Sequence, residues 1–191
     1  MGANDGSRNK PKKHMIINKS KLSLVASTDA GRPAIQHVYV DGDFAVATNG
    51  KAMAIVPVIK EEGDKAQAIV PIDVVKSAEK FGNKARQAQI TLNGEAKASD
   101  GNGKSVALPY PELNYPNYKQ VIPEESAVTV ALDAKLLWEL AQALGAEGWS
   151  RSKPNGQFIV KLHIKDDLSA VRVTTEANRS ALGIIMPCVL S

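Results

Sequence analysis

The feature that most restricts the fold of this chain is a pattern stated three times. Ile16-Ile17-Asn18-Lys19-Ser20-Lys21-Leu22, Pro71-Ile72-Asp73-Val74-Val75-Lys76 and Ala131-Leu132-Asp133-Ala134-Lys135-Leu136-Leu137 each pass from an apolar strand, through an Asn or Asp, into a helical pattern. Asn18, Asp73 and Asp133 suit a helix N-cap, because their side-chain oxygens accept the unpaired N–H groups of the first turn. The segments after the helices repeat as well. Gln36 to Val40, Phe44 to Thr48 and Ala52 to Val58 are short strand patterns joined by Asp41-Gly42 and Asn49-Gly50. Gln89 to Leu92, Glu95 to Ser99 and Lys104 to Leu108 are joined by Asn93-Gly94 and Asp100-Gly101. Both dipeptides tolerate the positive φ that tight hairpins need. Phe158 to Ile164, Ser169 to Thr174 and Ala181 to Met186 make a third such meander. Each repeat reads as βαβββ, and three of them predict an α+β fold with antiparallel sheets.

A lone repeat cannot cover itself. Leu136, Leu137, Leu140, Ala141 and Leu144 form one apolar helix stripe ending near Gly145, with Lys135, Glu139 and Gln142 facing away. Two repeats joined edge to edge would bury two helices on one sheet. The first two repeats predict one such domain over residues 15–123, and residues 126–191 a third repeat with no mate in the chain. Homo-oligomer formation is the expected remedy, with Val171 and Val173 on the open edge strand. Residues 60–66 and the proline-rich stretch 109–123 read as linkers, since Pro109, Pro111, Pro116 and Pro123 exclude a helix or central strand.

Charge narrows the choice of partner. Of the net +4, the segment 1–14 supplies +3 through Arg8, Lys10, Lys12 and Lys13 against Asp5. That segment reads as a basic, disordered tail, and the rest of the chain is close to neutral. Any polyanion contact by the folded part must come from charges gathered on one surface. No stretch is apolar enough to span a membrane or serve as a signal peptide, so a cytoplasmic setting is expected. Cys188 is the single cysteine, which excludes an internal disulfide, and its apolar context predicts a buried thiol. His14, His37 and His163 lack metal-ligand spacing with one another or with Cys188. The glycines between Lys97 and Lys104 lack a phosphate-loop lysine-serine. Trp149, in a polar loop, is expected to pack beneath that loop. No acid-base pair or nucleophile constellation emerges, so neither an enzyme nor a cofactor is expected.

Four further segments carry a resemblance. Tyr115-Pro116-Asn117-Tyr118-Lys119-Gln120-Val121-Ile122-Pro123 is similar to the segment closing the middle domain of the bacterial DNA sliding clamp, the β subunit of DNA polymerase III. Thr28 to Ile35 resembles that family's Arg-Pro loop, Ala47 to Ala54 its Ala-Thr-Asp-Gly turn, and Ile185 to Leu190 its Met-Pro terminus. The resemblance implies a shortened clamp, with three βαβββ repeats where the family chain has six. It also implies a processivity or recruitment factor that binds duplex DNA without sequence preference and receives polymerase or clamp-loader peptides. An alternative is a clamp-fold interaction module that does not encircle DNA and binds or sequesters clamp partners.

Two sites are implied by the resemblance. DNA would be faced by Lys19, Lys21, Lys76, Lys80 and Lys135 on the helices, Lys84 and Arg86 beyond the second, and Arg32 in its loop. Such lysines meet phosphates and read no bases. A peptide pocket would be walled by Ile35, Thr48, Gly50, Met53, Pro116, Val121 and Met186, apolar side chains with adaptable methionines. Lys51, Ala52 and Gln120 depart from the family pattern there.

Overall fold

Local turn chemistry shapes most of the chain. The computed structural model describes residues 14–17, 20–60, 67–81, 89–92, 94–100, 102–145, 159–176 and 178–189. It divides into two compact bodies, Met1–Gln120 and Val121–Ser191. In the first, β1 (His14–Ile17) leads through two short 3-10 turns, Leu22–Leu24 and Pro33–Gln36, to a meander of β2 (Val38–Asp41), β3 (Phe44–Thr48) and β4 (Met53–Lys60). The second repeat comes next as β5 (Gln67–Val70), α1 (Ile72–Phe81), β6 (Gln89–Leu92), β7 (Glu95–Ser99) and β8 (Ser105–Pro109). The hairpin signals act as read. Gly42, at φ 62°, turns β2 into β3, and Asp100 Oδ1 accepts the N–H groups of Asn102 at 2.8 Å and Lys104 at 3.0 Å between β7 and β8.

The two repeats merge by exchanging their first strands. The sheet order is β5-β2-β3-β4-β1-β6-β7-β8, with every pair antiparallel. β5 of the second repeat is thus added to β2 of the first, while β1 of the first lies between β4 and β6. Val38, Val40, Ala45, Ala47, Ile90, Ala96 and Ala98 line one face of this sheet and meet Val74, Val75 and Ala78 of α1 and Leu22.

Two expectations for the helices are corrected. The first repeat has no α-helix among the described residues; Leu22–Leu24 makes a single 3-10 turn in its place. Downstream polar groups compete for the backbone there. Ser27 Oγ accepts the Asp29 N–H, Asp29 Oδ1 the Gly31 N–H, and the Asp29 carbonyl the Gln36 side-chain amide. The turn still fills the helix's place, since Leu22 is buried and Glu79 of α1 accepts the Ser23 N–H at 2.9 Å as well as its hydroxyl. The expected cap Asn18 lies outside the described residues.

The second correction concerns Asp73, which sits inside the first turn of α1. The helix end is instead met by the residue just before β2, His37, whose Nδ1 accepts the Ile72 N–H at 3.2 Å. Burial holds the His37 imidazole below its ordinary value, with the Asp73 carboxylate pulling the other way. A folded-state value below the unfolded one means stability present at neutral pH and lost as pH falls through the His37 titration. His37→Ala should therefore cost about 0.5–2 kcal/mol at pH 8. Its urea midpoint should also fall less between pH 8 and pH 5 than that of the parent, and equal pH dependence in the two proteins would contradict the cap.

The second body is built from α2 (Ala134–Ala143) and a three-stranded sheet, β9 (Val160–His163), β10 (Val171–Thr175) and β11 (Gly183–Ile185), in the order β11-β10-β9. Asp133 is the expected cap: its Oδ1 accepts the N–H groups of Lys135 at 2.7 Å and Leu136 at 3.1 Å. Gly145, at φ 97°, ends the helix. Gly183 allows the close packing of α2 on the sheet, because a Cβ there would lie 2.9 Å from methyl carbons of both Leu140 and Leu144. The meander is as read, but the strand expected before Asp133 does not form, and Val130 and Leu132 only pack against the core of Leu144, Val171, Val173 and Ile185.

Val171 and Val173 are likewise not on an edge. They lie on the central strand β10 and are fully buried, so β9 and β11 are the edges. Cys188 is exposed, because β11 ends at Ile185 and only the Cys188 backbone is tied back, donating to the Ala131 carbonyl at 2.8 Å. Trp149 and Phe158 lie outside the described residues.

Candidate functional site

The outer face of the β5-β2-β3 region carries a constellation that sequence reasoning missed. Strand alternation sends Val38 and Val40 to the core and Tyr39 and Asp41 to the other face, where Tyr39 pairs in register with Val46 and Ile69. Val46 and Ile69 are nevertheless buried. The proline-rich stretch accounts for this by crossing the face as a strap. The Tyr115 ring stacks on Tyr39 at 4.9 Å between centroids, and its hydroxyl reaches the Val46 carbonyl at 3.4 Å. Burial pushes the Tyr115 hydroxyl up to about 12, so it remains a donor.

Asp41 anchors the strap. Its Oδ2 accepts the Tyr118 hydroxyl at 2.9 Å and Lys119 Nζ at 2.7 Å, and its Oδ1 accepts the Gln67 amide at 2.8 Å. The Lys119 bond, followed by that from Gln67, holds the Asp41 carboxyl below its usual range. Tyr115 and Tyr118 flank Pro116 in sequence, which is a visible signal. Their partners Tyr39 and Asp41 lie 76 or more positions away and can be paired with them only through the sheet register.

Next to this face, four of the expected pocket residues and the expected DNA-facing Arg32 gather around the β3–β4 turn. The 3-10 turn Pro33–Gln36, which carries buried Ile35, packs against β3. Thr48 pairs in register with Met53, and its hydroxyl donates to the Ala52 carbonyl at 2.8 Å and accepts the Gly50 N–H at 3.1 Å. Thr48 is therefore committed to shaping the turn. Gly50, at φ 81°, lies so close to Arg32 that a Cβ would fall 2.5 Å from Nη1. Arg32, expected to face DNA, thus sits against a residue expected to line the pocket, with Asp29 3.5 Å from its Nε. Pro116 is exposed on the strap. Val121 and Met186 are exposed in the second body.

The basic residues divide similarly. Lys76 and Lys80 are exposed one turn apart on α1, opposite Val74, Val75 and Ala78, and neither has an ion pair among the described residues. Lys21 is exposed just before the Leu22–Leu24 turn. Lys135 is exposed on α2 and paired with Glu139 at 3.6 Å. Lys19, Lys84 and Arg86 lie outside the described residues. Among the described residues no helix is long and apolar enough to cross a membrane, and no group of three or more His, Cys, Asp and Glu side chains could hold a metal ion.

No family model and no curated protein matches the chain by sequence. Its structure is more informative. The β sliding clamp of Caulobacter crescentus superposes with a TM-score of 0.70 at 19% identity, over 95% of this chain and 51% of that one. The Bacillus subtilis sliding clamp gives 0.68 at 15% identity, over 94% and 50%. The Bartonella birtlesii clamp, solved bound to griselimycin, gives 0.65 at 18% identity, over 95% and 52%. This chain has the sliding-clamp fold. The chain spans about half the length of these clamps. The expected α+β clamp architecture is thereby borne out, with one helix of the clamp pattern reduced to a 3-10 turn.

Proposed function

We propose that this protein is a non-catalytic accessory factor of DNA replication in the cytoplasm. It associates with duplex DNA regardless of sequence and offers short apolar peptides of polymerase or loader proteins a groove. The observation that carries this reading is the clamp fold over 95% of the chain. Lys76 and Lys80, exposed on one face of α1, suit phosphate contact, since a flexible ammonium acts as a point charge and reads no base. Within the first body, the peptide groove rests on Ile35, Thr48, Gly50 and Met53, with Pro116 exposed on the strap. Because the chain beyond the tail is nearly neutral, DNA association should be weak and steeply salt-dependent.

The test is fluorescence anisotropy with a labelled duplex, using a chain begun at His14, where β1 starts. Binding should be equal for unrelated sequences and should weaken as salt rises. Lys76→Ala with Lys80→Ala should lower the magnitude of the salt slope by about 0.9 for each phosphate that the variant no longer neutralises. Loss of all binding on removing residues 1–13 would instead favour an interaction module that binds clamp partners without encircling DNA. That second reading draws on the chain's length, about half that of the matching clamps.

A further inference from the structure

The second body holds one repeat, and the first body displays, within the same chain, what covers the surface that one repeat leaves open. There the first strand of each repeat is added to the other repeat's meander, β5 beside β2 and β1 beside β6. In the second body both halves of that arrangement are present, and neither has such a partner among the described residues. β9 is an edge, paired only with β10. Residues 128–132, Val-Thr-Val-Ala-Leu, precede the capping Asp133 but join no sheet. The bond from Cys188 N–H to the Ala131 carbonyl sets this segment beside the chain leaving β11, as β1 lies beside β4.

The side chains agree with the backbone. Val130 and Leu132 pack on the second core as Ala68 and Val70 of β5 pack on the first. On β9, Val160 and Leu162 are in register with the buried Thr175 and Val173, so they share the core face. Leu162 is nonetheless 39% exposed, and Leu136 on α2 is 52% exposed.

We propose that two copies of this chain join their second bodies about a twofold axis, each laying residues 128–132 along the other's β9. Two lone repeats then make one domain of the kind the first body makes by itself. The template is the β5–β2 pairing within the first body, in which Val38 meets Val70 and Val40 meets Ala68. It sets Leu132 beside the partner's Val160 and Val130 beside the partner's Leu162, with Ala131 opposite the partner's Lys161. A second copy is the occupant because the strand that fits is one the chain itself carries, and a twofold axis satisfies donor and acceptor in both copies at once. This goes beyond the function proposed above and does not depend on it.

Light scattering on the full-length protein at micromolar concentration should give twice the 20.4 kDa chain mass. Leu162→Lys, which sets an ammonium in the join, should give the mass of one chain with an unchanged circular dichroism spectrum. A second measurement serves if that variant misfolds. With Cys188→Ser, the pair Ala131→Cys and Lys161→Cys should form disulfide-linked dimers on mild oxidation, since paired strands bring their Cα atoms to about 4.5–5.5 Å. A monomeric parent protein, a dimer that Leu162→Lys leaves intact, or failure of the cysteine pair to link two chains overturns the proposal. A monomer that binds duplex DNA would remove this inference alone, and a strand-paired dimer indifferent to DNA would remove only the functional reading.

Discussion

Val173→Glu is expected to unfold the second body. Val173 is fully buried at the centre of β10, beside Gly183 and Leu162 in register and within the core that α2 covers. A carboxylate there has no cation to pair with among the core side chains, so it must either be buried charged or be protonated at a cost. Together with the lost apolar burial this amounts to about 4 kcal/mol or more, a large share of the stability of a small domain. The neighbouring Arg172 points to the opposite, exposed face, and Arg172→Gln should stay within about 0.5 kcal/mol of the parent. Thermal unfolding followed by circular dichroism separates the two. A Val173→Glu protein that melts like its parent would mean that β10 is not the core strand of this body.

The second large effect is expected at Tyr115. Truncation to Ala removes the ring stacked on Tyr39 and the cover over Val46 and Ile69, and should destabilise the first body by about 2–4 kcal/mol in urea unfolding. Tyr118→Phe removes only one of the donors to Asp41, leaving Lys119 and Gln67, and should cost about 1 kcal/mol. If Tyr115→Ala costs no more than Tyr118→Phe, the strap is held by its polar anchor and the aromatic stack contributes little. Either result bears on the proposed peptide groove, because Pro116 lies between these two tyrosines in sequence.

Much of the fold is legible because its signals are local. Asp41-Gly42 and Asp100 turn the chain through their own conformational range and side-chain bonds, and Asp133 caps α2 through groups two and three residues away. The clamp resemblance is legible for a similar reason, since the motifs at Arg32, Thr48 and Pro116 fall in register with the repeat. Candidate sites are less legible. The resemblance assigns Arg32 to DNA and Gly50 to a pocket, yet the two touch, because a loop folds back onto a hairpin in a way that neither segment encodes alone.

What the sequence determined by itself is the periodic part: three meanders of short strands and one well-capped helix. Those features depend on residues within one turn or one hairpin of each other. Only the tertiary structure decided that the repeats exchange their first strands, that Leu22–Leu24 stops at a 3-10 turn, and that His37 meets the start of α1 in place of Asp73. It also decided that Val171 and Val173 are core residues. The 3-10 turn has a nearby cause, the polar groups of residues 27–36 that compete for the backbone. For the other three the physical reason is shared: a strand's neighbours, a helix end's partner and a residue's burial are set by chain segments far away in sequence, which meet only once the sheet has chosen its order.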